Sequence, residues 1–248
     1  MRFYAFFYKL FINIFYKRME EKVNDEMDKI VLLCCVGRSG STTMQRILNT
    51  IPNSNICGEN YGAIFDLLRF YKNIKKTTNE QVIGGKNPVN YDFLIEKKIK
   101  PAWYNSYKHD EVISMIKFMI MRLFKYNNEV KLWGFKEIRC FNGNIDLIEE
   151  FKELFPQTKV ILLIRENIRK QSQSGWFKDS KNSYNFIMHQ NENLINFFKN
   201  NKSYCYFMTF ERMFAKMHVK GMFNFIGCSE HFDEQKIIDV LNNKLENY

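Results

Sequence analysis

The sequence predicts an α/β domain around a mainly parallel β-sheet, and three observations predict it. IVLLCCV (30–36) and KVILLIR (159–165) are unbroken apolar runs of strand length, the pattern of strands covered on both faces of a parallel sheet. Segments with apolar residues at helical spacing stand between such runs, above all IDLIEEFKELF (145–155). The two kinds of segment alternate along the chain, the order that wraps helices over both faces of a sheet in three layers. A chain of 248 residues holds one such domain, and 46% hydrophobic and 16% aromatic residues supply its core.

From the N-terminus, FYAFFYKLFINIFY (3–16) is apolar and aromatic, with Lys9 inside it and Lys17 and Arg18 behind. It is short for a transmembrane span and lacks the small-residue cleavage site of a signal peptide. Two readings stand: a terminal helix packed on the domain, or an interfacial helix making peripheral membrane contact. RMEEKVNDEMDK (18–29) reads as a charged linker or solvated helix, which sets residues 1–29 apart from a domain over 30–248. After the first strand and GRSGS comes a helix with Met44, Ile47 and Leu48 on one face. Past a turn at Ile51-Pro52-Asn53, a short second strand is expected over 55–59, ending on Glu59 beside the first strand.

Residues 60–130 mix helical pieces, AIFDLLRFY and EVISMIKFMIMRLF, with a Gly-Gly-Lys-Asn-Pro turn at 84–88. They form a variable region in which an acceptor site would be built. KLWGFKE (131–137) reads as a strand. The helix after it turns Leu147, Ile148, Phe151, Leu154 and Phe155 to one side and ends at Pro156. Beyond the strand 159–165, FIMHQNENLINFF (186–198) is helical and YCYFMTF (204–210) is a further strand.

The net charge of +10 points to an anionic partner, but the excess is interleaved with acids. It does not choose among nucleotide, nucleic acid, acidic glycan and membrane surface. Of the six cysteines, Cys34 and Cys35 fall inside the first apolar run, where they act as small buried hydrophobes. None stands at CxxC spacing, which argues against zinc, and a disulfide framework is not indicated at this size. A reducing, cytoplasmic setting is expected.

The first strand, a Gly/Ser-rich turn and a helix start in the order of an anion site. First-turn amides of a helix lack intrahelical partners, and the dipole is positive there. Gly37 and Gly40 let the backbone wrap an anion, Ser39, Ser41, Thr42 and Thr43 add hydroxyls, and Arg38 adds charge. An ordinary strand-to-helix turn rich in capping residues is the plainer alternative. The loop lacks the Gly-Lys-Ser/Thr ending of a Walker A motif, and no apolar strand ends in an Asp to hold magnesium. ATP-dependent kinase chemistry is thereby disfavoured.

VGRSGSTTMQRILNTIPNSNICGEN resembles the 5′-phosphosulfate loop, helix and second strand of PAPS-dependent sulfotransferases, in the branch of the tyrosylprotein, carbohydrate and trehalose enzymes. KVILLIRENIRKQSQSGWF is similar to that family's 3′-phosphate signature, in which an Arg ends a strand and a Ser sits on the next helix; the usual Asp-Pro after the Arg is Glu166-Asn167 here. YCYFMTFERMF and FNFIG resemble the late strand and closing helix. The likeness runs with gaps from about residue 30 to 228 and implies the P-loop-NTPase-like sulfotransferase fold.

The resemblance implies PAPS as co-substrate, no metal, a hydroxyl-bearing acceptor of unknown class and no nucleic-acid partner. Residues 37–43 would hold the 5′ side of the donor. Arg165 and a serine, Ser172 or Ser174, would hold its 3′-phosphate; related sequences with a longer Arg-to-Ser gap favour Ser174, and Arg169 lies one helical turn on. Glu59 would be the general base, with His109 as runner-up, and His189, His218 and His231 structural or exposed. Lys136, in GFKEIR with Arg139, would steady charge on the bridging oxygen. Trp176 or Phe177 could stack on adenine. A P-loop kinase-like enzyme and an inactive nucleotide- or polyanion-binding domain are the rival readings.

Overall fold

The computed structural model describes residues 28–80, 109–125, 127–140 and 144–243. The apolar segment 3–16, the charged stretch up to residue 27 and the turn at 84–88 lie outside these residues. In chain order the main elements are β1 (Lys29–Cys35), α1 (Ser41–Leu48), β2 (Ser54–Cys57), α2 (Ala63–Glu80), α3 (His109–Phe124), β3 (Leu132–Glu137), α4 (Leu147–Leu154), β4 (Thr158–Ile164), α5 (Ile168–Ser172), α6 (Ser183–Asn200), β5 (Cys205–Thr209), α7 (Lys216–Phe225) and α8 (Glu234–Asn242). No helix among the described residues is long and apolar enough to cross a membrane.

The chain forms two compact units. The described part of the smaller one is α2 with α3 up to Leu123. Its helices bury Ile64, Phe65, Leu68 and Tyr71 from α2 and Ile116, Ile120 and Met121 from α3. His109, the runner-up for the general base, begins α3, and its Nε2 lies 3.1 Å from the Ile74 carbonyl oxygen.

The larger unit is an α/β domain whose five strands are all parallel, in the order β2-β3-β1-β4-β5. β1 is central because it is apolar on both faces. One face of the sheet, including Val31, Leu33, Cys35, Ile161 and Leu163, packs on Met44, Ile47 and Leu48 of α1, Val219, Met222 and Phe223 of α7 and Ile237 of α8. On the other side Phe135 stacks on Phe124 and meets Phe151 of α4 edge-on, Trp133 meets Phe155, and Phe198 of α6 packs on Phe207. The three layers follow from strands that must be covered twice.

Burial pushes the Cys35 thiol up to about 12 and Cys34 well above the usual thiol range, so both stay protonated as apolar fillers. At the opposite end of β1, the Asp28 carboxylate accepts from Lys125 Nζ and, at 3.1 Å, from Trp133 Nε1, all three side chains being buried.

The expected second strand is shorter than the sequence implies, ending at Cys57, so Glu59 stands in the turn two residues beyond it. Nor is β2 beside the loop strand: β3 lies between them and pairs with both. The interposed strand is what brings Lys136 between Glu59 and the loop.

Candidate functional site

The carboxyl end of β1 is where the sheet parts, with β3 to one side and β4 to the other, and α/β sheets place ligands at such a point. The turn 37–40 leads from β1 into α1. Gly40 adopts φ 87°, a left-handed conformation, and a Cβ there would lie 2.2 Å from Phe210 Cδ2. A Cβ on Gly37 would lie 2.5 Å from Trp176 Cζ2. Gly40 therefore needs glycine for both its backbone and its neighbour, whereas at Gly37 the close neighbour is an exposed indole. Met44 N donates to Gly40 O at 3.1 Å, the first intrahelical bond, which leaves the amides of Ser41, Thr42 and Thr43 as the unpaired donors of the helix start.

The loop hydroxyls divide. Ser39 is wholly buried beside the Cys35 thiol, with no aligned hydrogen bond for its Oγ. Ser41 is also buried, Thr43 is half-buried, and Thr42 is exposed at the mouth. Arg38 has a left-handed backbone, φ 65°, and its side chain turns away from the loop: Nε donates to Ser174 Oγ at 3.0 Å, and the guanidinium lies 5.8 Å from the Trp176 ring centre.

The segment after β4 is tied to this loop at three points. Arg165 Nη1 donates to Arg38 O at 3.4 Å, Gln171 Nε2 donates to Gly37 O at 2.8 Å, and Arg38 reaches Ser174. The Arg165 guanidinium rests 4.7 Å over Phe210, with its Nε buried and unpartnered. α5 ends at Ser172, so Ser174 is not on the helix but begins the 3-10 turn Gly175–Asp179. Ser172 is buried and its hydroxyl donates back to Arg169 O at 2.9 Å, whereas Ser174 faces a cleft of about 730 Å³ lined by Arg38, Arg165, Lys170, Gln173, Gly175 and Trp176. Of the two aromatic candidates, Phe177 is buried and Trp176 is 56% exposed in the cleft. Lys170 lines the cleft; Arg169 is exposed and does not.

On the other side of the loop, the Lys136 ammonium at the end of β3 lies 3.0 Å from Glu59 Oε1 and 3.3 Å from Thr42 Oγ1. Arg139 Nη1 lies 3.7 Å from the other oxygen of Glu59 and 3.1 Å from Glu137 Oε1. Glu137 is 1% exposed and also accepts from Arg139 N at 2.9 Å. Glu59 is thus a partly exposed carboxylate held between two cations. The same chain of contacts links it to the first turn of α1.

A volume of this size is in the range of a nucleotide-sized ligand. The cleft presents two guanidiniums, an ammonium, a hydroxyl and an exposed indole, and the loop beside it presents helix-start amides. Those donors suit an anionic ligand. Among the described residues no group of three or more His, Cys, Asp or Glu side chains could hold a metal ion.

Sequence reasoning passed over Gln171, Phe210 and Glu211. All three lie inside segments read for other features: Gln171 in KVILLIRENIRKQSQSGWF, where Arg165 and the serines carry the resemblance, and Phe210 and Glu211 in YCYFMTFERMF, read as the late strand.

Residues 30–219 match the sulfotransferase family. No curated protein matches the sequence. Among solved structures, a sulfotransferase from Mycobacterium avium, STF9, is similar at 10% identity, with 93% of this chain and 71% of that one covered and a TM-score of 0.48. A sulfotransferase from Alicyclobacillus acidocaldarius is similar at 13% identity, with 87% and 85% covered and a TM-score of 0.46. STF1 from Mycobacterium tuberculosis is similar at 10% identity, with 92% and 74% covered and a TM-score of 0.46.

Proposed function

The chain belongs to the sulfotransferase family, and from that premise we propose that it moves a sulfuryl group from PAPS to a hydroxyl acceptor, with Glu59 as general base. The observation that carries this reading is the contact chain Glu59–Lys136–Thr42, which links a carboxylate to the anion-binding turn through one ammonium. Glu59 takes the acceptor proton while the acceptor oxygen attacks sulfur. The bond from sulfur to the bridging oxygen breaks, and the electron pair leaves with the 5′-phosphate of PAP. Lys136 and the amides of residues 41–43 face the negative charge that develops there. Arg165, Ser174 and Arg38 hold the 3′-phosphate, and Trp176 offers its ring to adenine. Rate enhancement then comes mostly from positioning and electrostatics, as in phosphoryl transfer.

The test is transfer of labelled sulfate from PAPS onto a panel of tyrosyl peptides, sugars and small alcohols, run in EDTA. Transfer that survives chelation is expected. Strict dependence on magnesium would overturn the proposal in favour of kinase-like chemistry.

Arg165→Ala is expected to weaken PAP binding by roughly 1.5–3 kcal/mol, the scale of a charge-assisted hydrogen bond. The fold should persist, because the guanidinium lies over a ring at the cleft and not in the core. Calorimetry with unchanged PAP affinity would remove Arg165 from the donor site.

A further inference from the structure

β4 ends at Ile164, so Arg165 is presented by the turn that follows and not by the ladder itself. The next two peptide groups are both held by one side chain. Glu166 N donates to Glu211 Oε2 at 3.0 Å, and Asn167 N donates to Glu211 Oε1 at 3.3 Å. Glu211 comes directly after Phe210, whose own amide donates to Ile164 O at 2.8 Å and whose ring lies under the Arg165 guanidinium. The corner after β5 therefore grips Arg165 twice, by its side chain through Phe210 and by its following backbone through Glu211.

The residue pair after the arginine makes this grip available. A proline at position 167 would have no N–H to donate. Asn167 has one, which Glu211 accepts, while the Asn167 side chain accepts from Lys170 N at 2.9 Å and caps α5. The two amides would otherwise be free donors beside the cleft.

We infer that Glu211 is a positioning residue of the donor site: it fixes the turn 165–167 so that Arg165 meets the 3′-phosphate of the donor. The inference rests on the reading of the cleft as the 3′-phosphate site. A guanidinium grips phosphate through two parallel bonds, so its contribution falls steeply when its base is free to shift. Loss of Glu211 should then be felt by ligands that carry a 3′-phosphate and not by those that lack one.

The test is calorimetric titration of the full chain with PAP and with 5′-AMP, for the natural protein, Glu211→Ala and Glu211→Gln. Glu211→Ala is expected to weaken PAP about tenfold, the scale of a lost hydrogen bond to a charged group, and to leave 5′-AMP within about twofold. Glu211→Gln keeps one acceptor oxygen and should lose only about threefold, again for PAP alone. Should the alanine variant not fold, the glutamine variant carries the test by the same ratio. Equal weakening of both ligands would reduce Glu211 to a structural role and overturn the inference, as would unchanged PAP affinity. A natural protein that binds no PAP would overturn the donor reading itself, and the inference with it.

Discussion

Glu59→Gln is expected to lower kcat by roughly 10² to 10⁴, the range for loss of a general acid–base group. An acceptor hydroxyl is a poor nucleophile until its proton begins to leave, and a glutamine keeps the shape of the side chain without the capacity to take that proton. The carboxylate lies 3.0 Å from Lys136 and 3.7 Å from Arg139, so it is oriented toward the loop before any acceptor arrives. The substitution also frees Lys136 from its partner. In the proposed mechanism Lys136 faces the bridging oxygen, so the effect should fall on turnover. PAP affinity should stay within about twofold, because Glu59 itself is assigned to the acceptor and not to the nucleotide, whose 3′-phosphate contacts lie across the loop at Arg38, Arg165 and Ser174. A variant with near-normal kcat, with chemistry rate-limiting, would show that the proton leaves by another route.

Lys125→Met is expected to lower the unfolding free energy by about 3–5 kcal/mol, the usual consequence of breaking one side of a buried ion pair. Asp28 and Lys125 are 3% and 8% exposed, and Asp28 Oδ2 accepts from both Lys125 and Trp133. Without the ammonium, the buried carboxylate keeps, among the described residues, the indole N–H as its side-chain donor. Urea denaturation measures the loss. Adding Asp28→Asn should return part of the stability, since an uncharged amide is cheaper to leave buried than a lone carboxylate. A single variant as stable as the natural protein would mean that water reaches Asp28. The pair sits at the amino end of β1, away from the loop, so PAP affinity of the folded variant should not change.

What was legible in the sequence was what burial and local geometry write into it. β1 and β4 stood out because strands covered on both faces carry no polar alternation. The turn between β1 and α1 was visible because a left-handed Gly40 and a helix start follow directly on an unbroken apolar run. Less was legible where a role depends on partners far along the chain. Strand order leaves no mark on either strand, so the sequence cannot show that β3 lies between β2 and the loop strand and carries Lys136 into the gap. The helix expected to carry Ser174 stops at Ser172, since α5 is a short turn capped at its start by Asn167. Gln171 reaches Gly37 across the fold, and Glu211 reaches the amides after Arg165; each has its partner far along the chain, which its own segment does not record.

The most direct test of the central claim, that this sulfotransferase takes its donor as a 3′-phosphorylated nucleotide across the loop and the Arg165 cleft, is competition between PAP and 5′-AMP on the natural protein. The two ligands differ only in the group that Arg165, Arg38 and Ser174 are assigned to hold. PAP is expected to bind at one site per chain and more tightly by about tenfold or more, the scale of one or two charge-assisted hydrogen bonds. A folded protein that binds PAP no better than 5′-AMP would contradict it.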